Sequence, residues 1–180
     1  MKFYRFSDKD VLNKVAYVTN DSWDVQDVID ILYGNKIVNE SPIKVEHKWG
    51  KKWADILCSI NVILPVVSQK FIDILTINNL TGWEAYEVII DNKLSEFDSK
   101  YYILVITGRS KNTIIDICKN KMITDWDGSD LFLLQDISKV YISERAYHVL
   151  SKKDHKFTNI KLVSFESDIE YFLEVNKNFV

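Results

Sequence analysis

The order of apolar and polar residues along this chain predicts both helices and strands. From Asp24 to Tyr33 the apolar residues recur three or four positions apart, which places them on one face of a helix: Val25, Val28, Ile29 and Leu32. Alternating or short apolar runs predict strands near 2–6, 42–47, 55–60, 83–90, 101–107, 113–117, 131–134 and 160–165. The run from Tyr101 to Thr107 is almost wholly apolar, which is typical of a central strand buried on both faces. Further helices are predicted at 68–79, 143–150 and 168–175.

Part of the chain is repeated once at an offset of 75 residues, with no gap. Residues that recur are Asp55–Leu57 as Asp130–Phe132, Val67–Lys70 as Ile142–Arg145, Leu75 as Leu150, and Val88 as Val163. Each copy has the pattern of a strand, a helix and a second strand. We therefore predict two related strand-helix-strand half-units, at about 54–90 and 129–165.

The start of each repeated helix carries a capping signal. Ser68 and Ser143 precede the two helices, and a serine hydroxyl in this position accepts one of the backbone N–H groups that the first helical turn leaves unpaired. Apolar residues flank each serine at the spacing of a hydrophobic staple: Val67 and Ile72, then Ile142 and Tyr147. Ser68 and Ser143 are therefore predicted to be structural helix caps.

Length and composition indicate one α+β domain. A chain of 180 residues is long enough for one well-buried core and short for two independent ones. Apolar residues make up 47% of it, and it has only 5 Gly and 2 Pro, as in a packed fold. We predict a single domain over residues 1–180, with a mixed, mainly antiparallel sheet and a few packed helices.

The charge and the ends of the sequence limit the partners we expect. The formal net charge is −3, so the chain lacks the excess of basic residues that is typical of nucleic-acid-binding proteins. No apolar run is long enough for a membrane span, and the first ten residues lack the apolar stretch of a secretory signal. Cys58 and Cys118 have no metal-binding or redox spacing and are predicted to be buried thiols. These features predict a cytoplasmic protein with no nucleic-acid or membrane partner.

Neither a catalytic motif nor a metal-binding motif is recognisable. The three histidines, His47, His148 and His155, are separate from one another, and none has a carboxylate or cysteine at ligand spacing. The acidic segment Asp125–Asp130 is explained better as a turn than as a calcium loop, because loop position 12 holds Asp136 where an EF-hand needs Glu. We therefore predict no metal, no cofactor and no catalytic residue.

Two surfaces are candidates for binding a protein partner. Asp24, Asp27 and Asp30, with Asp21 upstream, form an acidic stripe along the predicted first helix, which either meets Lys and Arg of a partner or is simply solvated. Trp49 and Trp53 flank a polar turn, where tryptophan either anchors an interface or packs back onto the sheet.

One part of the chain resembles a known family. Asp130–Phe132, Val140–Arg145, the apolar helix to Leu150 and the strand ending near Phe165 resemble the "immunity protein eleven" family of bacterial polymorphic-toxin immunity proteins. The chain departs from that pattern at 153–156, where the family has a turn containing glycine. The resemblance implies a cytoplasmic antidote that binds a cognate toxin, and it supplies no catalytic residues.

The leading hypothesis is therefore a non-enzymatic immunity protein that neutralises its toxin by stoichiometric binding. The alternative is an enzyme or a small-ligand-binding module of unrecognised class, which would show a concave pocket with converging polar groups. A subunit of a larger assembly is a third hypothesis, which predicts a large hydrophobic surface. The sequence leaves the oligomeric state open.

Overall fold

The computed structural model describes residues 2–8, 15–19, 24–33, 42–59, 64–91, 100–116, 121–134 and 137–165. Its strands are β1 Phe3–Asp8, β2 Tyr17–Thr19, β3 Ile43–Trp49, β4 Ile56–Ser59, β5 Val66–Ser68, β6 Trp83–Asp91, β7 Tyr101–Ile106, β8 Gly108–Asp116, β9 Lys121–Trp126, β10 Leu131–Leu134, β11 Ile137–Ser143 and β12 Ile160–Ser164. Its helices are α1 Val25–Tyr33, α2 Gln69–Ile77 and α3 Glu144–Leu150, and a short 3-10 helix covers Lys153–His155. The predicted α+β class is confirmed.

The strands form two six-stranded sheets, where the sequence had suggested one mixed sheet. The first is a closed barrel in the order β6-β7-β5-β4-β2-β3, closed by parallel pairing of β3 with β6. The second sheet has the order β12-β1-β11-β10-β8-β9. Both sheets are mixed and mainly antiparallel: the parallel pairs are β2 with β4 and β3 with β6 in the barrel, and β8 with β10 in the second sheet.

The two sheets are built alike, strand for strand. When both orders are read from the strand that follows the repeated helix, five of the six barrel pairs have a pair of the same direction at the same place in the second sheet. The sixth, the parallel pair of β3 with β6, closes the barrel and has no counterpart in the second sheet. The repeat therefore extends well beyond the two strand-helix-strand units predicted from sequence. One strand breaks the sequence order of the repeat. In the barrel, the neighbour of β6 is β7, which follows it in the chain. In the second sheet, the neighbour of β12 at the same place is β1, which comes first in the chain.

Strand registers correct the predicted alignment of the two copies. Trp83 pairs with Ile106 in the barrel, and Ile160 pairs with Asp8 at the matching place in the second sheet, so the offset there is 77 residues, from 83 to 160. The two extra residues lie in the segment of the 3-10 helix, which follows α3 and has no counterpart after α2. The predicted match of Val88 with Val163 is therefore wrong, and Val163 corresponds to Tyr86.

A hydrophobic core joins the two halves. One cluster of buried residues contains side chains from the barrel and from the second sheet, among them Val18, Ile103, Leu131 and Ile142. A smaller cluster lies within the second sheet and is mostly aromatic: Phe3, Phe132, Leu134, Tyr141 and Phe165. β7 is buried along nearly its whole length, as its apolar run predicted.

The sequence located the helices and their caps well. Ser68 is the N-cap of α2 and accepts from the N–H of Phe71, and Ser143 caps α3 in the same way through the N–H of Ala146. In α1, Val28 and Ile31 are buried, so the buried face includes Ile31, which was not on the predicted stripe. The predicted helix at 168–175, Asp21 and Cys118 lie outside the described residues, as does the side chain of Cys58.

Candidate binding surfaces

Two buried aspartates connect the halves, and both are members of the sequence repeat. Asp55 accepts a hydrogen bond from the hydroxyl of Ser68 at 2.9 Å and, on its other oxygen, from the backbone N–H of Thr158 at 2.7 Å. The ammonium group of Lys70 lies 3.6 Å from the carboxylate of Asp55. Each oxygen of this buried carboxylate is thus occupied by the chain itself, as buried charge requires.

Asp130 has the corresponding partners, with an arginine where Asp55 has a lysine. It accepts from the hydroxyl of Ser143 at 2.7 Å and from the backbone N–H of Thr81 at 3.0 Å. Arg145, at the position of Lys70, donates from its Nε at 3.0 Å and also from a terminal nitrogen. Such a two-pronged contact from arginine is stronger than a single long lysine contact.

The environment of Asp130 favours its charged form. Burial by itself raises the pKa of Asp130, but the hydrogen bonds from Arg145, Ser143 and Thr81 outweigh burial and lower the pKa below its usual value. The same contact raises the pKa of Arg145, mainly through its hydrogen bond to Asp130. The pair is therefore ionised throughout the neutral range.

The two aspartate clusters are reciprocal. Asp55 of the barrel is bound by Thr158, which follows α3, while Asp130 of the second sheet is bound by Thr81, which follows α2. The cations also reach from one half to the other: Lys70 donates to the carbonyl of Lys156, and Arg145 donates to the carbonyl of Asn79. Exchange of this kind is the pattern of a two-fold interface, here within one chain. Both clusters hold the halves together.

The acidic stripe on α1 is largely engaged in the helix itself. The backbone N–H of Asp27 donates to the carboxylate of Asp24 at 2.7 Å, and that of Asp24 donates to the carboxylate of Asp27 at 3.3 Å. This is the reciprocal arrangement of a capping box. Asp30 accepts from the side-chain amide of Gln26 at 3.0 Å. Asp24 and Asp27 therefore have a structural role that the sequence analysis did not assign.

The two candidate tryptophans are in different environments. Trp49 is 47% exposed, and its ring stacks on that of buried Tyr17 with 3.9 Å between the centroids and an angle of 4°. Trp53 is half-buried and packs against the core, with its ring 5.3 Å from the ring of His47. Trp49 is thus the one of the two that presents an indole to solvent, and Trp53 has packed back onto the barrel.

The turn between the tryptophans is held closely against the barrel. Gly50 has φ +83°, and a Cβ at this position would lie 2.1 Å from the carbonyl oxygen of Val15. The imidazole Nε2 of His47 donates to the carbonyl of Gly50 at 2.8 Å. Because the chain lies against Val15 directly after Trp49, the exposed indole is supported by this turn as well as by Tyr17.

A pocket that the sequence analysis did not predict lies between α3 and β12. Its volume is about 410 Å³, and three lysines contribute to its lining: Lys152, Lys153 and Lys156. The sequence signal was the pair of extra residues after α3, which is visible only once the offset of 77 is known.

In the part of the chain that the structure describes, no group of three or more metal-ligating side chains is found. None of the described helices is long and apolar enough to cross a bilayer.

The resemblance to a known family has no support from protein-family models or from curated proteins. No protein-family model matches this chain, and no curated protein matches it. The resemblance to the immunity-protein family therefore stays a prediction from the residues.

Proposed function

We propose that this chain is a non-enzymatic immunity protein, which binds a cognate bacterial toxin in the cytoplasm and neutralises it by stoichiometric binding. The resemblance at 130–165 supplies the class of partner. The observation that carries a binding role is Trp49, a large aromatic side chain that is about half exposed and already held in place by Tyr17. Tryptophan is among the residues most enriched at the energetic centres of interfaces.

Rigid support makes Trp49 a better anchor than a freely rotating side chain. Binding immobilises side chains, and each flexible one that is ordered costs about 0.5–1.5 kcal/mol. The stacking on Tyr17 restricts the indole before the partner arrives. Burial of the remaining exposed face against a toxin would therefore lower the free energy with little loss of side-chain entropy.

The residues around Trp49 fit an acidic partner surface. Lys51 and Lys52 are exposed near the indole along the chain, while Lys48 is paired with Glu46 at 2.6 Å. Exposed charges act mainly on the rate of association. The partner chemistry we propose is an apolar cleft that receives the indole, with carboxylates at its rim. The acidic stripe becomes a secondary surface, since two of its three aspartates cap α1.

The experiment is co-expression with the product of the reading frame immediately beside this gene, followed by co-purification and a toxicity assay. We expect a stable complex and protection of the cell. Trp49→Ala should weaken the complex by about thirtyfold or more, as loss of an interface anchor does. Ile77→Ala is the matched control, because Ile77 is also a large apolar residue, 78% exposed.

Two results would overturn different parts of the proposal. If the neighbouring product neither binds this chain nor is neutralised by it, the immunity function is wrong. If it binds and Trp49→Ala binds as tightly as the wild type, the function stands and the contact surface is wrong. Thermal unfolding of each variant checks that any loss of binding is not loss of folding.

A further inference from the structure

The pocket between α3 and β12 combines an apolar interior with a cationic rim. Its floor is formed by Leu150, Ile160 and Leu162, and aromatic rings of Tyr147 and Phe157 line it as well. These residues also pack on the main core, so the floor is continuous with the interior of the protein. A volume of about 410 Å³ falls within the range of small-molecule sites, about 300–1,000 Å³.

The other half of the chain explains why the pocket is open. Trp83 occupies the position in β6 that Ile160 occupies in β12. Its indole N–H donates to the carbonyl of Leu80 at 2.7 Å, and Leu80 corresponds to Phe157 at the offset of 77. The barrel thus places a tryptophan against Leu80, whose counterpart Phe157 lines the pocket in the second half. Replacement of that tryptophan by the smaller isoleucine leaves space at Ile160.

The aromatic walls are fixed by contacts outside the pocket. Tyr147 stacks on Tyr4, with ring centroids 3.7 Å apart and an angle of 10°. Phe157 has the ammonium group of Lys70 over its ring at 5.0 Å and the ring of Phe71 at 5.7 Å. A site whose walls are held in this way is preformed, so a ligand does not have to order them.

The rim is positively charged and contains no carboxylate. None of the nine lining residues is acidic, and three are lysines: Lys152, Lys153 and Lys156. Within the described residues these three ammonium groups form no ion pair. The C-terminal end of α3 faces the pocket with a partial charge of about −0.5 at most. Three full positive charges outweigh it even with the exposed Asp154 beside Lys153, which does not line the pocket, so the pocket favours an anion.

We propose that this pocket binds a small amphipathic anion, with a flat apolar group between Tyr147 and Phe157 and a carboxylate, sulfonate or phosphate group at the lysine rim. The site is independent of Trp49 and of toxin binding, and it would hold whether or not the immunity function is right. An acidic peptide is the competing occupant, which the choice of probe separates.

The test is a fluorescence titration of the whole folded chain with anilinonaphthalene sulfonate. The uncharged parent, N-phenylnaphthylamine, has the same ring system without the anionic group. A third titration uses a tetra-glutamate peptide labelled with a fluorophore, which carries charge without a flat apolar group. We expect saturable binding of the sulfonate at one site and weaker binding of both other probes.

Two variants separate the charged rim from the apolar interior. The triple variant Lys152→Gln, Lys153→Gln and Lys156→Asn should weaken the sulfonate about tenfold and change the uncharged probe by less than about twofold. Asn is chosen at position 156 because Lys156 has φ +48° and the corresponding Asn79 has φ +49°. Ile160→Trp copies the residue that the barrel has at this place, and it should weaken both ring probes about tenfold or more.

A matched control and the opposite results complete the test. Lys44→Gln, Lys51→Gln and Lys52→Gln remove three exposed lysines that do not line the pocket, and they should leave the affinity unchanged. The proposal is overturned if the wild type does not bind the sulfonate, if the control weakens it as much as the rim variant, or if the glutamate peptide binds more tightly. Because the rim variant changes only exposed side chains, it tests the proposal even if Ile160→Trp does not fold.

Discussion

Replacing each buried aspartate by asparagine is expected to destabilise the protein unequally, although the two residues are repeats of one another. Asp130→Asn removes the charge that faces Arg145 and puts an amide nitrogen in place of one acceptor oxygen. Both oxygens of Asp130 accept from Arg145, so one of the two arginine N–H groups then faces another donor. Asp55→Asn meets a milder surrounding, because Lys70 is 3.6 Å away and 43% exposed.

The magnitudes follow from the number of donors left without an acceptor. At Asp130 one charged hydrogen bond from Arg145 is lost, typically about 1.5–3 kcal/mol, together with the ion pair, which adds only about 0–1 kcal/mol because the Arg145 side chain is 56% exposed. We expect Asp130→Asn to lower the free energy of unfolding by about 2–4 kcal/mol. At Asp55 the hydroxyl of Ser68 can rotate to accept from the new amide, and Lys70 can turn to solvent. We expect a loss of about 1 kcal/mol there.

Urea unfolding at neutral pH, followed by tryptophan fluorescence, gives both values by linear extrapolation. A loss of 2–4 kcal/mol should also lower the Tm by roughly 4–16 °C for a chain of this size. Arg145→Met should recover part of the loss in the double variant, since the unpaired donor is then absent. Equal destabilisation by the two asparagine variants, or a larger effect at Asp55, would refute the reasoning from the arginine contact.

Two further predictions concern pH and the contact between the halves. Because the pKa of Asp130 is lowered on folding, its contribution to stability is present above its unfolded pKa of about 3.9 and is lost as the pH falls through the folded pKa. Asp130→Asn should flatten the fall in the free energy of unfolding over that range. Gly82→Ala should lower the free energy of unfolding by about 3 kcal/mol or more. The φ of Gly82 is +86°, and the new Cβ would lie 2.1 Å from the carbonyl oxygen of Leu131.

Each of these two has its own control. Gly128 has nearly the same φ, +89°, but a Cβ there meets nothing within 4 Å, so Gly128→Ala should cost only about 1–2 kcal/mol in the same urea experiment. Equal losses at the two glycines would mean that backbone strain, and not the close approach to Leu131, sets the effect. An acid-unfolding curve of Asp130→Asn parallel to that of the wild type would contradict the assigned role of the carboxylate.

The sequence was informative wherever a structural feature depends on neighbouring residues. Apolar spacing identified α1, β7 and β10, and Ser68 and Ser143 marked the starts of α2 and α3 because capping involves only the first helical turn. It was less informative about α1, where Asp24 and Asp27 were interpreted as a surface stripe. Their spacing of three residues is equally the signature of a capping box.

Features that depend on pairing over long distances were not predictable in the same way. The residues of Phe3–Asp8 predict a strand but not its partners, β11 and β12. Pairing between strands so far apart in the chain depends on how the whole domain packs. The repeat did contain a signal for the aspartate clusters, since the acid, the serine and the base recur together. Thr81 and Thr158 escaped notice because the offset between them is 77 and not 75.

The place of β1 has a consequence for how the protein is made. β1 leaves the ribosome ahead of every other described strand, whereas its partners begin at Ile137 and Ile160. At a synthesis rate of about 5–20 residues per second, it waits about 7–30 s for them. All six barrel strands are synthesised by Ile106 and can close within that interval. The nascent chain thus carries an unpaired strand with two phenylalanines, Phe3 and Phe6, until β11 has been made, and the second partner, β12, follows only after α3. This interval is when a chaperone has most to protect.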